Sequence, residues 1–216
     1  MERTKRPLVY KGVELRCSLR FERQAWSRGY RVVAGVDEVG RGALCGPVVV
    51  CAVVLGDGFD PGGIDDSKRL TRRQREREAA RVRTQARAWA LGVAEAPEID
   101  RVNILRATQL AVERAVLALA LRPDLLLLDA LRVPRLPIDQ EPIVKGDALS
   151  VSIAAASIVA KVARDAVMRE ADARFPGYGL ARNKGYASTD HREALRKLGP
   201  SAIHRRSFHG TEPWLF

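Results

Sequence analysis

Four carboxylates stand at the ends of apolar stretches. Asp37 and Glu38 close the run Arg31–Val39 (RVVAGVDEV), Asp129 closes Leu125–Asp129 (LLLLD), and Asp147 follows the short extended piece Pro142–Gly146. An acid placed directly after four leucines is costly to bury unless it is paired or binds a metal. Carboxylates gathered at one place repel each other and raise each other's pKa until a cation neutralises them. Mg²⁺ or Mn²⁺ suits such an all-oxygen set, and two of these ions about 4 Å apart can hold the attacking and leaving oxygens of a phosphodiester. A single aspartate at a strand end more often caps a turn or helix, so a phosphoryl-transfer site and a set of structural caps both remain open. Asp37 and Glu38 carry a further ambiguity, because neighbours on a regular strand point to opposite faces. Either the strand ends or twists there, or Asp37 is the inner ligand and Glu38 reaches in from the side.

These acids need a scaffold that brings their strand ends together. Arg31–Val39 and Pro47–Leu55 read as Val-rich strands joined by a glycine-containing turn. The second is almost wholly apolar and is expected to be buried on both faces. Thr71–Ala88 reads as an exposed basic helix, Ala88–Ala96 as a third strand, and a helix capped by Asp100 runs through about Ala120. Leu125–Asp129 is a central strand. Ser150–Phe175 is a long helix whose small, apolar first half lies against the sheet, and Ser188–Leu198 is a short charged helix. Strands first, then alternating helix and strand, give an α/β domain with a mixed sheet. Residues 1–30 read as a basic lead-in, loosely structured or helical.

The charge balance narrows the partner. Lys and Arg total 37 against 26 acids, a net charge of +11. Windows 1–31, 68–87 and 174–216 hold 26 of those cations and only 8 of the acids. Such stretches fit an anionic partner or simply solvated faces. The N-terminus lacks the apolar stretch of a signal peptide, and no run is long enough to span a membrane, so the cytoplasm is the expected compartment. Three cysteines without a CxxC pair give no disulfide framework or thiolate zinc site. The histidines, His191, His204 and His209, show no ligand spacing and read as surface or packing residues.

Val36-Asp37-Glu38-Val39-Gly40-Arg41-Gly42 resembles the DExGRG motif of ribonuclease HII. The resemblance continues in family order through Asp66-Ser67-Lys68, the run ending at Asp129, Lys145-Gly146-Asp147, residues Ala155 to Asp165 (AASIVAKVARD), Lys184-Gly185-Tyr186 and His204-Arg205-Arg206-Ser207-Phe208. It implies a ribonuclease H-like α/β fold, with a mixed sheet of about five strands flanked by helices and a C-terminal helical region. The implied division is a catalytic domain over 31–175, with a substrate-binding region over 176–216 packed on it. It also implies a monomeric endoribonuclease that cuts the RNA strand of RNA–DNA hybrids. The same activity would incise 5′ of ribonucleotides embedded in duplex DNA, leaving a 3′-hydroxyl and a 5′-phosphate.

On this resemblance Asp37, Glu38, Asp129 and Asp147 are the catalytic and metal-binding carboxylates for two Mg²⁺ or Mn²⁺ ions. Gly40, Arg41 and Gly42 would bring backbone groups up to the 2′-hydroxyl that separates RNA from DNA. Tyr186 would pack on the next sugar, and Lys68 and Lys184 would contact phosphate or be ordinary surface lysines. Ser157 and Lys161 would touch the substrate backbone, or Ser157 would help its helix pack. Ala130 and Ala187 depart from the family's usual glycine and proline, which bears on loop conformation. A silent binding protein of the same fold and another two-metal nuclease are the alternatives; the four intact acids oppose the first, and the glycine turn with Tyr186 opposes the second.

Overall fold

The computed structural model describes residues 8–10, 13–15 and 17–211. Short strands β1 (Leu8–Tyr10) and β2 (Val13–Leu15) pair antiparallel, and helix α1 (Arg20–Ser27) follows. This part of the lead-in is therefore ordered into strands as well as a helix. The main sheet contains β3 (Val33–Val39), β4 (Val48–Val54), β5 (Ala88–Ala94), β6 (Leu125–Asp129) and β7 (Asp139–Ile143). Its order is β5-β4-β3-β6-β7, antiparallel from β5 to β3 and parallel from β3 to β7. The mixed five-stranded α/β sheet matches the expectation.

Alternation along the strands sends side chains into two cores. Val48, Val50, Ala52 and Val54 of β4 join Ala34, Val36, Leu126 and Leu128 on one face. Helix α4 (Ile104–Leu117) covers that face with Ala107, Ala111, Val112 and Ala115. Val49, Cys51 and Val53 face the other side, under α5 (Val151–Arg174) and α2 (Arg72–Gln85). β4 is thus buried on both faces, as its continuous apolar run requires. Helix α5 lies so close to β3 that a Cβ on Gly35 would sit 2.2 Å from the Ser152 carbonyl carbon. Its small residues permit that approach, and Ser150 caps it through the Ile153 amide.

Helix α2 carries a capping box between Thr71 and Gln74 and buries only Glu78, Ala79 and Val82. The helix expected from Asp100 onward is instead two, α3 (Ala96–Val102) and α4. Asn103 stands between them at φ 68° and caps α4 through the Arg106 amide. Asp100 is not a cap: its carboxylate accepts from the Arg206 and Ser207 amides and the Ser207 hydroxyl. The extended piece expected at Pro142–Gly146 lies earlier, as β7, with Pro142 tolerated on an edge strand. Helices α6 (Leu180–Asn183) and α7 (Thr189–Leu198) follow α5. Leu180 and Leu195 pack with Leu44, Cys45, Met168 and Tyr178 in a further core.

Candidate active site

Strand register assembles the acids. In the parallel pair β3–β6, Val36 lies opposite Leu128, so Asp37 and Asp129 are the next residues on adjacent strands. Asp129 lies opposite Ile143 on β7. Beyond Ile143 the chain turns through Lys145 at φ 58° into a 3-10 turn, Gly146–Ala148, which carries Asp147. The Gly146 amide donates to Asp129 Oδ1 at 2.9 Å and fixes the two ends to each other. All four acids line one cavity of about 570 Å³, with Gly40, Arg41, Gly42, Lys68, Ser157, Lys161 and Tyr186 around it. A larger groove of about 750 Å³ at the β7 edge is bordered by the Arg28–Glu141 ion pair and the Tyr30–Asp139 hydrogen bond, and gathers no comparable cluster of acids.

Asp37 is buried, on the strand register that faces α5, where Ser157 supplies a hydrogen bond. Burial, and then the charge of Glu38 with those of Asp129 and Asp147, hold its pKa well above the carboxylate range; the Ser157 bond works the other way. Glu38 takes the alternate register at the strand end. Burial raises its pKa, although Arg41 Nη1 lies 3.1 Å from its Oε1. Burial raises Asp129 too, against the Gly146 amide. Lys68 Nζ sits 3.0 Å from Asp147 Oδ2. Burial opposes the charge of Lys68, but Asp147 outweighs it and holds the ammonium above its ordinary pKa. The site is an oxygen-only anionic cluster with Lys68, Lys161, Arg41 and Arg75 at its margins.

The turn after β3 is shaped from behind. Gly40 has φ +100°, and a Cβ there would lie 2.2 Å from Arg164 Nε. Arg205 donates to the Gly40 and Arg41 carbonyls at 2.7 and 2.8 Å. Arg164 donates to the carbonyls of Pro47, Lys184 and Cys45, with its guanidinium 5.4 Å from the Tyr186 ring. The sequence reading missed these two arginines as site components. Both fall inside quoted motifs, VARD and HRRSF, but an arginine by itself reads as surface. Ser67, bonded to Ser157 at 3.1 Å, and Arg75 also line the cavity.

Other assignments change. Lys184 does not line the cavity; its ammonium turns to the Ala181 carbonyl. Asp165 pairs with Lys161 at 2.7 Å, one turn earlier on α5. Asp66 is buried and accepts from the Lys68 amide. Ala130 keeps a left-handed backbone, φ 48°, where the resembled family has glycine; this costs about 1 kcal/mol. His191 and His204 are buried, and His209 is exposed.

The histidine pair has defined tautomers. The Ser201 amide donates to His204 Nδ1 at 3.0 Å, so neutral His204 carries its proton on Nε2. The Tyr186 carbonyl can only accept, which places a proton on His191 Nδ1. The 3.2 Å bond therefore runs from His204 Nε2 to His191 Nε2. Burial lowers both pKa values, His204 to about 4. Cys45 Sγ lies within 4.8 Å of these nitrogens. The hydrogen bonds, which commit His204 Nε2 to a proton, account for the cluster without a metal.

Residues 34–211 match the family model of ribonuclease HII. The chain belongs to the ribonuclease HII family. It is therefore a metal-dependent endoribonuclease of the ribonuclease H type. It is 53% identical over 190 residues to ribonuclease HII of Desulfitobacterium hafniense strain Y51, covering 88% of this chain and 73% of that protein. It is also 53% identical over 188 residues to ribonuclease HII of Moorella thermoacetica, covering 87% and 91%. The crystal structure of ribonuclease H2 from Pyrococcus horikoshii OT3 is similar at a TM-score of 0.73 and 25% identity, covering 84% of this chain and 95% of that one. The ribonuclease HII match thus covers nearly the whole described chain.

Proposed function

We propose that this cavity hydrolyses the RNA strand of RNA–DNA hybrids and incises 5′ of a ribonucleotide embedded in duplex DNA. The observation that carries the reading is the convergence of Asp37, Glu38, Asp129 and Asp147 on one cavity beside Gly40-Arg41-Gly42 and Tyr186. The donor set fits hard divalent cations: every acid offers carboxylate oxygens, and burial with mutual repulsion raises Asp37, Glu38 and Asp129 as long as no cation is present. Asp37, Asp129 and Asp147, with Glu38 from the side, would hold two Mg²⁺ or Mn²⁺ ions. Bound there, the ions would supply the positive charge that stabilises attacking and leaving oxygens.

The remaining work falls to the protein. Ser157 stands beside Asp37 and lowers its carboxyl pKa. Lys68 and Lys161 stand where phosphates flanking the cut would lie. Gly42 supports a ribose contact through its surroundings, since a Cβ on it would meet nothing within 4 Å. Among the described residues no packing excludes a side chain there, so its bareness serves close approach by a ligand. Tyr186, 38% exposed at the same cavity, offers a ring for the neighbouring sugar. Basic helix α2 and the C-terminal cations give the duplex a salt-sensitive grip. The enzyme would work as a monomer in the cytoplasm.

The test is incision of duplex DNA containing one ribonucleotide, with Mg²⁺ or Mn²⁺, beside an all-DNA duplex. A single cut 5′ of the ribonucleotide is expected. Absence of incision, or equal cutting of the all-DNA duplex, overturns the reading.

A further inference from the structure

We propose that Arg205 is a positioning residue that aims the amides of the Gly40-Arg41-Gly42 turn at the ribose, with Arg164 holding Tyr186 in the same frame; this rests on the ribose reading above. Both side chains are fully buried. Among the described residues neither has a carboxylate partner within ion-pair distance. A buried cation without a counter-ion is costly unless its donors are all used. Here a backbone carbonyl meets every guanidinium nitrogen of both residues. Arg205 Nη2 and Nη1 reach the Gly40 and Arg41 carbonyls at 2.7 and 2.8 Å, and Nε and Nη2 reach Gly46 at 3.1 and 2.9 Å.

Peptide planarity turns this into a statement about the site. The peptide bonds are trans, so each carbonyl opposes the amide of the next residue. With the Gly40 and Arg41 carbonyls drawn to Arg205, the Arg41 and Gly42 amides point away from it, on the side where the turn borders the acid cavity. Among the described residues neither amide donates to a protein acceptor. Two unused donors, fixed in direction by a planar fork, suit a hydroxyl or phosphate oxygen. A lysine could not reproduce this, because one ammonium cannot span two carbonyls in a fixed plane.

Arg164 extends the frame. It holds the Lys184 carbonyl at 2.9 Å and that of Cys45 at 3.2 Å, and it lies under the Tyr186 ring. The Leu44 amide also donates to the Gly185 carbonyl at 2.8 Å. The turn and the tyrosine are therefore built on shared anchors, which set the spacing between the group that would read one sugar and the ring that would pack on the next.

The test compares Arg205→Lys with its parent for binding to a duplex with one ribonucleotide and to an all-DNA duplex. Both proteins carry Asp37→Asn to suppress cutting, and Mg²⁺ is present. The preference of the parent for the ribonucleotide should fall about 10-fold in Arg205→Lys, with all-DNA affinity held within about 2-fold. With Asp37 left unchanged, Arg205→Lys should lower kcat/KM on the ribonucleotide duplex about 100-fold. An unchanged preference, or equal weakening on both duplexes, overturns the positioning role. If Arg205→Lys does not fold, the amide proton shifts of Arg41 and Gly42 in the parent replace it. They should move with the ribonucleotide duplex and not with all-DNA, and identical shifts overturn the proposal. A parent without any ribonucleotide preference overturns the ribose reading itself, and this inference with it.

Discussion

The front and the back of the β3 turn handle charge in opposite ways. In front, four acids line one cavity, and burial and repulsion push Asp37, Glu38 and Asp129 toward protonation. Behind it, Arg164 and Arg205 are buried, and their donors end on carbonyls of the same chain. The front is a cluster left unneutralised by the protein, and on the proposed reading it is completed by metal from outside. The back is complete, and its rigidity holds the front in place. Buried charge thus marks a functional centre when it is unneutralised, and a supporting layer when each of its nitrogens is met by a carbonyl.

The largest effect expected from breaking this contrast is on catalysis. Asp37→Asn removes a buried acid of the front while keeping a hydrogen-bonding side chain at that position. Incision should fall by about 10³-fold or more on the metal-binding role proposed for Asp37. Product yield per minute on the ribonucleotide duplex measures it. Activity within 10-fold of wild type would remove Asp37 from that role.

Next in size is a loss of stability at the back. Arg164→Met leaves three carbonyls without their donor, at about 1–3 kcal/mol each where they stay dry. Thermal unfolding should drop by about 10 °C or more for a chain of this size. A shift below about 2 °C would mean that water replaces the guanidinium freely.

The histidines give a smaller, pH-dependent effect. His204 has a folded pKa of about 4, below the unfolded value near 6.5. Between those values the unfolded chain binds more protons, so stability falls as pH drops through the window. His204 should contribute a loss of about 2 kcal/mol from pH 7 to 5 by urea titration, read as the difference between wild type and His204→Gln, which should show the flatter profile. The acids run the other way: raised carboxyl pKa values favour the fold while protonated, and that contribution disappears as pH rises through them. The difference between the two proteins isolates the histidine, and parallel profiles would contradict its neutral state. The smallest effect belongs to Lys68, whose side chain is 79% exposed. Lys68→Met should change stability by less than about 1 kcal/mol while weakening duplex binding and its salt dependence.

Much of the front was legible in the sequence, because acids at the ends of apolar strands are conspicuous and strand alternation is simple. LLLLD and VVVCAVV announce their strands, and the small-residue half of α5 announces its contact with β3. The back was not legible. Arg164 and Arg205 acquire meaning only from carbonyls up to 165 residues away, and no local pattern encodes such a pairing. The break at Asn103 was hidden for a related reason: a left-handed cap inside an otherwise periodic stretch is decided by tertiary contacts, here those that hold Asp100 to Arg206 and Ser207. The β7 boundary was missed because DQEPI lacks the apolar pattern of a strand; pairing with β6 forms it.

The central claim is that the front cluster is incomplete without divalent metal, and thermal unfolding of wild type beside Asp37→Asn tests it most directly. In EDTA the variant should unfold several degrees above wild type, because one buried repelling charge is gone. Millimolar Mn²⁺ should then raise wild type by several degrees and the variant by clearly less. A wild-type midpoint unmoved by Mn²⁺, or a variant less stable than wild type in EDTA, would contradict the account.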